Sequence, residues 1–83
     1  MTQVHLHYWA GARAAAGVET EAFSADTITA ALDLAAEPRD PRFAAVIAGS
    51  TLLVDGRAVR DADRDRRLDA DVTVEVLPPF AGG

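Results

Sequence analysis

Alternating apolar and polar residues predict β-strands near both ends of this chain of 83 residues. Val4, Leu6 and Tyr8 fall on one side of the first predicted strand, whereas Trp9 falls on the other side. The segment 72–77 repeats the alternation and forms the last predicted strand. Because this period marks a strand with one buried face, we expect both segments to cover the same core.

The dipeptide Asp55-Gly56 predicts a tight hairpin between the segments 51–54 and 57–59. Aspartate and glycine tolerate the positive φ angles that a short hairpin turn requires. A weaker strand over residues 18–24 is expected to turn back beside the first strand. These segments complete the strands of the predicted sheet.

Apolar residues recur at helical spacing in the middle of the chain, at Ile28, Ala31, Leu32 and Ala35. This main amphipathic helix is expected to follow a cap at Asp26 or Thr27 and to stop at Pro38. A short helical turn is predicted over residues 12–16, and a second, shorter helix is predicted after the Asp-Pro-Arg segment at 40–42.

The order of these elements is strand, weak strand, helix, hairpin and last strand, which is that of the β-grasp, or ubiquitin-like, fold. We therefore predict an α+β fold over residues 1–77, in which a mixed sheet packs on one main helix. Residues 78–83 are predicted to form a flexible, extended tail, and residues 61–67 are predicted to form a solvated charged loop.

Composition and charge narrow the classes of function. The net charge of −5 argues against nucleic acid as a partner, because affinity for phosphates comes largely from lysine and arginine. The sequence has no apolar stretch of about 18 residues and no signal-peptide pattern, so we expect a cytoplasmic protein without a membrane partner. It has no cysteine, so any sulfur chemistry must use another atom, and it has no lysine to accept an isopeptide bond.

The strongest candidate for a functional site is the final segment, Pro78-Pro79-Phe80-Ala81-Gly82-Gly83. Two glycines without Cβ atoms can enter a narrow channel, and two prolines keep the base of the tail extended and stiff. Such a tail suits insertion into the active site of another protein. A frayed terminus is the simpler interpretation of a Gly-Gly pair taken alone.

Four segments of the chain resemble the MoaD/ThiS family of sulfur-carrier proteins. They are Trp-Ala-Gly-Ala-Arg at 9–13, Val-Asp-Gly at 54–56, Val-Glu-Val-Leu at 74–77 and Pro-Pro-Phe-Ala-Gly-Gly at 78–83. The resemblance covers nearly the whole chain. An ending of the form Pro-Pro-x-x-Gly-Gly is typical of the MoaD branch, which is the small subunit of molybdopterin synthase.

The resemblance implies that the chain is a sulfur carrier within an enzyme complex and is not itself an enzyme. An adenylating and sulfurating enzyme of the MoeB/ThiF type would use ATP and Mg to activate the carboxylate of Gly83, and a sulfur donor would convert it to a thiocarboxylate. The large subunit of molybdopterin synthase, of the MoaE type, would accept the inserted tail and use its sulfur to build the dithiolene of the molybdenum cofactor. No cofactor or metal is expected to bind the chain itself.

Trp9 and Leu77 are predicted to form the partner interface, because both point away from the proposed core. The alternative is that Trp9 is covered by the tail or by a neighbouring loop. His5 and His7 share one strand face, but without a third ligand they are interpreted as ordinary sheet residues and not as a metal site.

Three other functions stay open. A carrier for thiamine or cysteine synthesis would use the same Gly83 thiocarboxylate. A ubiquitin-like protein modifier would instead join Gly83 to lysines of target proteins. A β-grasp interaction module with an inert tail would need neither reaction.

Overall fold

Five strands and four helices lie along residues 2–79, which are the residues that this computed structural model describes. The strands are β1 (Gln3–Tyr8), β2 (Thr20–Ser24), β3 (Thr51–Val54), β4 (Arg57–Ala58) and β5 (Val72–Leu77). The helices are α1 (Ala10–Ala16), α2 (Ile28–Ala36), α3 (Pro41–Ala48) and α4 (Asp61–Arg64).

The strands form one mixed sheet in the order β2-β1-β5-β3-β4. β1 and β5 pair in parallel near its centre, and the other neighbouring pairs are antiparallel. Parallel neighbours need a long crossover connection. The segment between β1 and β5, which contains α1 to α4, supplies it. The mixed sheet and its helices confirm the predicted β-grasp fold.

The register gives the sheet one buried face. Leu6 pairs with Val74 and Tyr8 pairs with Val76, and each of these side chains is at most 1% exposed. Leu52 of β3 continues the row beside Val76. Because paired residues of neighbouring strands point to the same side, the alternation in the sequence correctly predicted the buried face of β1 and β5.

Side-chain caps start the two longer helices. α2 follows Thr27, whose hydroxyl accepts a hydrogen bond from the Ala30 amide at 3.0 Å. α3 follows Asp40, whose carboxylate accepts a hydrogen bond from the Arg42 amide at 2.8 Å. α1 corresponds to the predicted helical turn and ends at Gly17, which adopts a left-handed φ of 80°.

The core joins the buried face of the sheet to three helices. The Phe43 ring of α3 packs edge-on against the Tyr8 ring of β1, with 5.7 Å between ring centres. Burial of each ring stabilises the fold by on the order of 2 kcal/mol. α1 contributes the buried Ala12. The buried residues of α2 are those that the helical spacing predicted, Ile28, Ala31, Leu32 and Ala35.

The charged segment 61–67 differs from the predicted solvated loop. Its first part, Asp61–Arg64, forms α4, in which Arg64 is half-buried. The Leu68 amide donates a hydrogen bond to the Asp26 carbonyl at 2.8 Å, and the Leu68 side chain packs against the core. The prediction was wrong for residues 61–64, which are helical, whereas residues 65–67 are exposed as predicted. It weighed only the charges of the segment and did not consider Leu68, which packs the following residues against the core.

A hydrogen-bonded cluster of Tyr8, Glu21 and Arg39 joins β1, β2 and the loop after α2. The Tyr8 hydroxyl donates to Glu21 Oε1 at 2.6 Å, and Arg39 donates to the two carboxylate oxygens at 2.6 and 3.1 Å. The Arg39 guanidinium also lies 4.8 Å from the centre of the Phe43 ring. The cluster therefore fastens the edge strand β2 to the helical layer.

The cluster changes the pKa of its acidic members. Burial alone would raise the pKa of the Glu21 carboxyl, but the hydrogen bonds donated by Arg39 and Tyr8 outweigh burial and hold the pKa below its usual range. Burial raises the pKa of the Tyr8 hydroxyl, and its hydrogen bond to Glu21 raises it further. Glu21 is therefore ionised and Tyr8 is neutral at physiological pH.

We predict that Glu21→Gln lowers the free energy of unfolding by about 2 kcal/mol, because the amide cannot form an ion pair with Arg39. The pKa of Glu21 is lower in the folded chain than in the unfolded chain. Its stabilisation is therefore present above about pH 4.5 and is lost as the pH falls through the folded pKa. Urea unfolding from neutral to acidic pH measures both effects.

The matched control for this prediction is Glu37→Gln, which changes an exposed glutamate. We expect the control to keep the pH dependence of the wild type, and Glu21→Gln to lose part of it. If Glu21→Gln and the wild type lost stability equally on acidification, the role assigned to Glu21 would be wrong.

Candidate functional site

The candidate site lies at the edge of the sheet where β1 and β5 end. Because the two strands are parallel, their carboxyl ends meet at this edge. Trp9 follows β1 directly, Pro78 follows β5, and the Trp9 amide donates a hydrogen bond to the Val76 carbonyl at 3.1 Å. The base of the predicted tail therefore leaves the domain beside Trp9.

Pro78 is anchored to the domain, whereas Pro79 is exposed. A Cβ atom built at Gly11 would lie 4.0 Å from Pro78 Cγ, so the first turn of α1 packs against the base of the tail. The remaining residues of the predicted tail lie outside the described residues; they are Phe80, Ala81, Gly82 and Gly83. A fixed starting direction for the tail follows from the packing of Pro78.

Trp9 presents an aromatic side chain that is 44% exposed yet held in place. Its indole N–H donates to Glu75 Oε1 at 2.8 Å, and its ring centre lies 4.5 Å from that of His7. His7 Nδ1 lies 2.9 Å from the same Glu75 oxygen. An aromatic side chain with a fixed orientation is a typical anchor for a protein partner, because it has little rotamer freedom left to lose.

The backbone turns sharply immediately after Trp9. Ala10 has a φ of 45°, in the left-handed region, where a residue with a Cβ atom is strained by about 1 kcal/mol. The turn begins α1 at Ala10, so the helix starts directly behind Trp9 and reaches Pro78 within its first turn. The strained residue, Ala10, therefore lies between Trp9, which carries the exposed ring, and Gly11, which packs against Pro78.

Leu77 is half-buried and is less exposed than the sequence predicted. β5 is an interior strand with neighbours on both sides, and Leu77 pairs with Thr51 of β3. The alternation correctly placed Leu77 on the face opposite Val76, but alternation along one strand does not show how much neighbouring strands cover. Leu77 thus offers a partner less apolar surface than Trp9.

Val18 adds an exposed apolar side chain that the sequence pattern did not single out. It is 42% exposed and follows Gly17, the left-handed cap of α1. The Tyr8 amide donates to the Glu19 carbonyl at 2.9 Å, which places Val18 at the same end of the sheet as Trp9. Gly17 was the signal for this position in the sequence, because a glycine cap ends a helix and leaves the next residue in a loop.

We refer to Trp9, Val18 and Leu77 as the tail-end patch. Within residues 2–79, no group of three or more His, Cys, Asp or Glu residues is arranged to hold a metal ion. No helix in this part of the chain is long and apolar enough to cross a membrane. The end of β1 and β5 therefore combines exposed apolar side chains with the base of the tail, and its described residues form no metal-binding cluster.

No protein-family model matches the chain, and no curated protein matches it significantly in sequence. Solved structures match it in fold over nearly its full length. The solution structure of small archaeal modifier protein 1 from Methanosarcina acetivorans has a TM-score of 0.80 at 21% identity, and the match covers 100% of this chain and 98% of that chain.

Two further matches are molybdopterin-converting factors. A putative molybdopterin converting factor, subunit 1, from Pyrococcus furiosus has a TM-score of 0.70 at 24% identity and covers 96% of this chain and 100% of that chain. A chain of the complex of subunits 1 and 2 of molybdopterin-converting factor from Helicobacter pylori has a TM-score of 0.67 at 12% identity, over 99% and 100% of the two chains. At these identities the likeness shows a shared fold.

We predict that Gly11→Ala is tolerated and that Gly11→Leu displaces the base of the tail. An alanine Cβ would make an ordinary contact with Pro78, 4.0 Å away, and would stabilise α1 by up to about 1 kcal/mol. A leucine would need the space that Pro78 occupies. NMR chemical shifts around Leu77 measure the displacement.

The matched control for the leucine substitution is Ala14→Leu, which adds the same side chain at an exposed position of α1. We expect the control to leave the shifts around Leu77 unchanged. Unchanged shifts in Gly11→Leu as well would contradict the packing of α1 against Pro78.

Proposed function

We propose that this chain is a sulfur carrier of the MoaD type, which donates sulfur from a thiocarboxylate at Gly83 during synthesis of the molybdenum cofactor. The observation that carries the proposal is the position of the tail base, because Pro78 is anchored at the sheet edge beside the exposed Trp9. The fold shared with subunit 1 of a molybdopterin converting factor supports it.

Gly83 would need chemical activation before it could carry sulfur, because a carboxylate is a poor electrophile. On a partner enzyme of the MoeB/ThiF type, a carboxylate oxygen would attack the α-phosphorus of Mg-bound ATP, and pyrophosphate would leave. Hydrosulfide released by a sulfur donor would then attack the acyl carbon. A C–S bond would form, the bond from the acyl carbon to the AMP oxygen would break, and AMP would leave with that electron pair.

The chain itself would position the reacting carboxyl group of Gly83. It has no cysteine, so the sulfur would be held on the carbonyl carbon of Gly83. Packing between Gly11 and Pro78 would fix the direction in which the tail starts. Gly82 and Gly83 lack Cβ atoms and would pass through a channel too narrow for larger residues. The catalytic side chains would belong to the partner enzymes.

The tail-end patch would dock the enzymes that activate and use the tail. One expected partner is a large subunit of the MoaE type, and the Helicobacter pylori structure, in which subunits 1 and 2 form a complex, supports a partner of that kind. Trp9 is the predicted anchor because its exposed ring is fixed by Glu75 and His7. A carrier for thiamine or cysteine synthesis would differ in the protein that receives the sulfur.

The likeness to small archaeal modifier protein 1 favours a second candidate, a ubiquitin-like protein modifier. Activated Gly83 would then form an isopeptide bond with a lysine of a target protein. The two functions share the activation of Gly83 and differ in the nucleophile that attacks it. Because this chain has no lysine, its side chains would not serve as acceptors of such a bond.

We predict that the purified protein, coexpressed with an activating enzyme of the MoeB/ThiF type, gains the mass expected when one sulfur replaces one oxygen at Gly83. Intact-mass and C-terminal fragment spectra measure this gain and locate it. A chain that lacks Gly82 and Gly83 is the control, and it should gain no sulfur.

The same spectra distinguish the two candidate functions. Covalent adducts with lysines of other proteins, formed without any thiocarboxylate, would favour the modifier. Absence of both products in the presence of an active partner enzyme would contradict activation at Gly83.

We predict that Trp9→Ala weakens binding to the partner enzyme roughly tenfold or more, because it removes an exposed aromatic anchor. Isothermal titration measures the affinity, and urea unfolding checks that the domain still folds. The matched control is Leu34→Ala, which removes an apolar side chain of similar exposure, 40%, from α2. Equal affinities of Trp9→Ala and the control would contradict docking through the tail-end patch.

A further inference from the structure

β4 is an open edge of the described sheet. The strand order places β4 last, with β3 as its neighbour in the sheet. Ala58 is opposite Leu53, and Leu53 is opposite Glu75 of β5, so β4 lies two strand spacings, about 10 Å, from β5. β1, which Trp9 follows, lies on the other side of β5. A partner at β4 would therefore approach the sheet from the side away from Trp9.

A groove of about 400 Å³ runs beside β4 and combines an apolar lining with two arginines and Asp63. Its apolar residues include Ile28, Val54, Val59, Leu68 and Val72. Arg57 and Arg60 also line it, and the Arg60 side chain is 86% exposed, with Asp63 Oδ2 at 3.5 Å. Within residues 2–79, no acidic side chain lies within salt-bridge distance of Arg57.

The hairpin geometry turns one backbone donor and one backbone acceptor of β4 outward. In an antiparallel pair, residues that exchange hydrogen bonds alternate with residues that do not. The Val59 amide donates to the Leu52 carbonyl at 2.8 Å, so Val59 is a bonded position. Ala58, one residue earlier and opposite Leu53, is then a non-bonded position. Its N–H and C=O point away from β3 and can pair with another strand.

The local charge at this edge is opposite in sign to the charge of the whole chain. Five of the eight arginines lie in the segment 57–67, together with three aspartates, although the net charge of the chain is −5. Among possible partners, an acidic segment is therefore attracted to this edge and repelled by most of the remaining surface.

We propose that β4 binds an extended acidic segment of a partner protein, in which apolar and acidic residues alternate. The segment would pair with Ala58 as an added strand, place apolar side chains in the groove and place carboxylates beside Arg57 and Arg60. The apolar lining and the unpaired strand edge fit a peptide better than a nucleic acid. This site goes beyond the sulfur-carrier function and does not depend on it.

An array of capped peptides in which valine or leucine alternates with glutamate tests the proposal. A matched array has lysine in place of glutamate. The full chain should bind the acidic array and not the basic one, and hydrogen exchange of the Ala58 amide should slow in the presence of a bound peptide. Binding to neither array, equal binding to both, or unchanged exchange at Ala58 would overturn the proposal.

Two pairs of variants test the charge and the strand edge separately. Arg57→Glu should weaken binding about tenfold, whereas Arg42→Glu, at an exposed position of α3, should change it by about twofold or less. Ala58→Pro removes the outward N–H and should abolish binding, whereas Ala58→Val keeps the N–H and should retain binding.

Failure of these variants to follow the pattern would overturn the proposal. If Ala58→Pro does not fold, hydrogen exchange at Ala58 in the wild type decides the matter. A single-stranded DNA oligonucleotide that bound through Arg57 and blocked the peptides would assign the edge to nucleic acid instead. None of these results depends on whether Gly83 gains sulfur. This proposal and the sulfur-carrier function can therefore fail separately.

Discussion

The parallel pairing of β1 and β5 determines where every other functional feature of this domain lies. It aligns Tyr8 with Val76 on the buried face, and it brings Trp9 beside the residues that follow β5. The helices then have one face to cover, and the start of α1 falls where it can hold Pro78. Without this pairing, the exposed ring and the base of the tail would lie at unrelated points of the surface.

Rigidity around the tail has a thermodynamic reason. A partner that accepts a tail must offset the entropy lost when the tail and the contact side chains are ordered. Here Trp9 is already held by Glu75, and Pro78 is already packed against Gly11. The strained backbone at Ala10 is part of the same arrangement, since it starts the helix where those contacts require it. Part of the entropy cost of ordering Trp9 and Pro78 is therefore incurred when the domain folds and not when a partner binds.

Local chemistry was sufficient to predict every element except α4, but it did not predict the contacts between distant elements. Asp55-Gly56 adopts φ angles of 53° and 79°, as its composition predicted, and Thr27 caps α2 as its position predicted. By contrast, Arg39 follows Pro38 in a segment that looks like an ordinary loop, and nothing near it in sequence indicates its bond to Glu21. The burial of Pro78 was missed for the same reason, because Gly11 approaches it only through the fold.

The pairing of β1 with β5 also determines when the surface around Trp9 forms during folding. Trp9 and Glu75, whose side chains bond to each other, are 66 positions apart in the sequence. Contacts of such long range form late, because the intervening chain must first be brought together. During synthesis, β1 is made long before β5, and the centre of the sheet forms only when both strands are present. A chain in which β5 has not paired therefore lacks the arranged surface around Trp9, and under the proposed function a partner enzyme would distinguish folded molecules from unfolded ones by that surface.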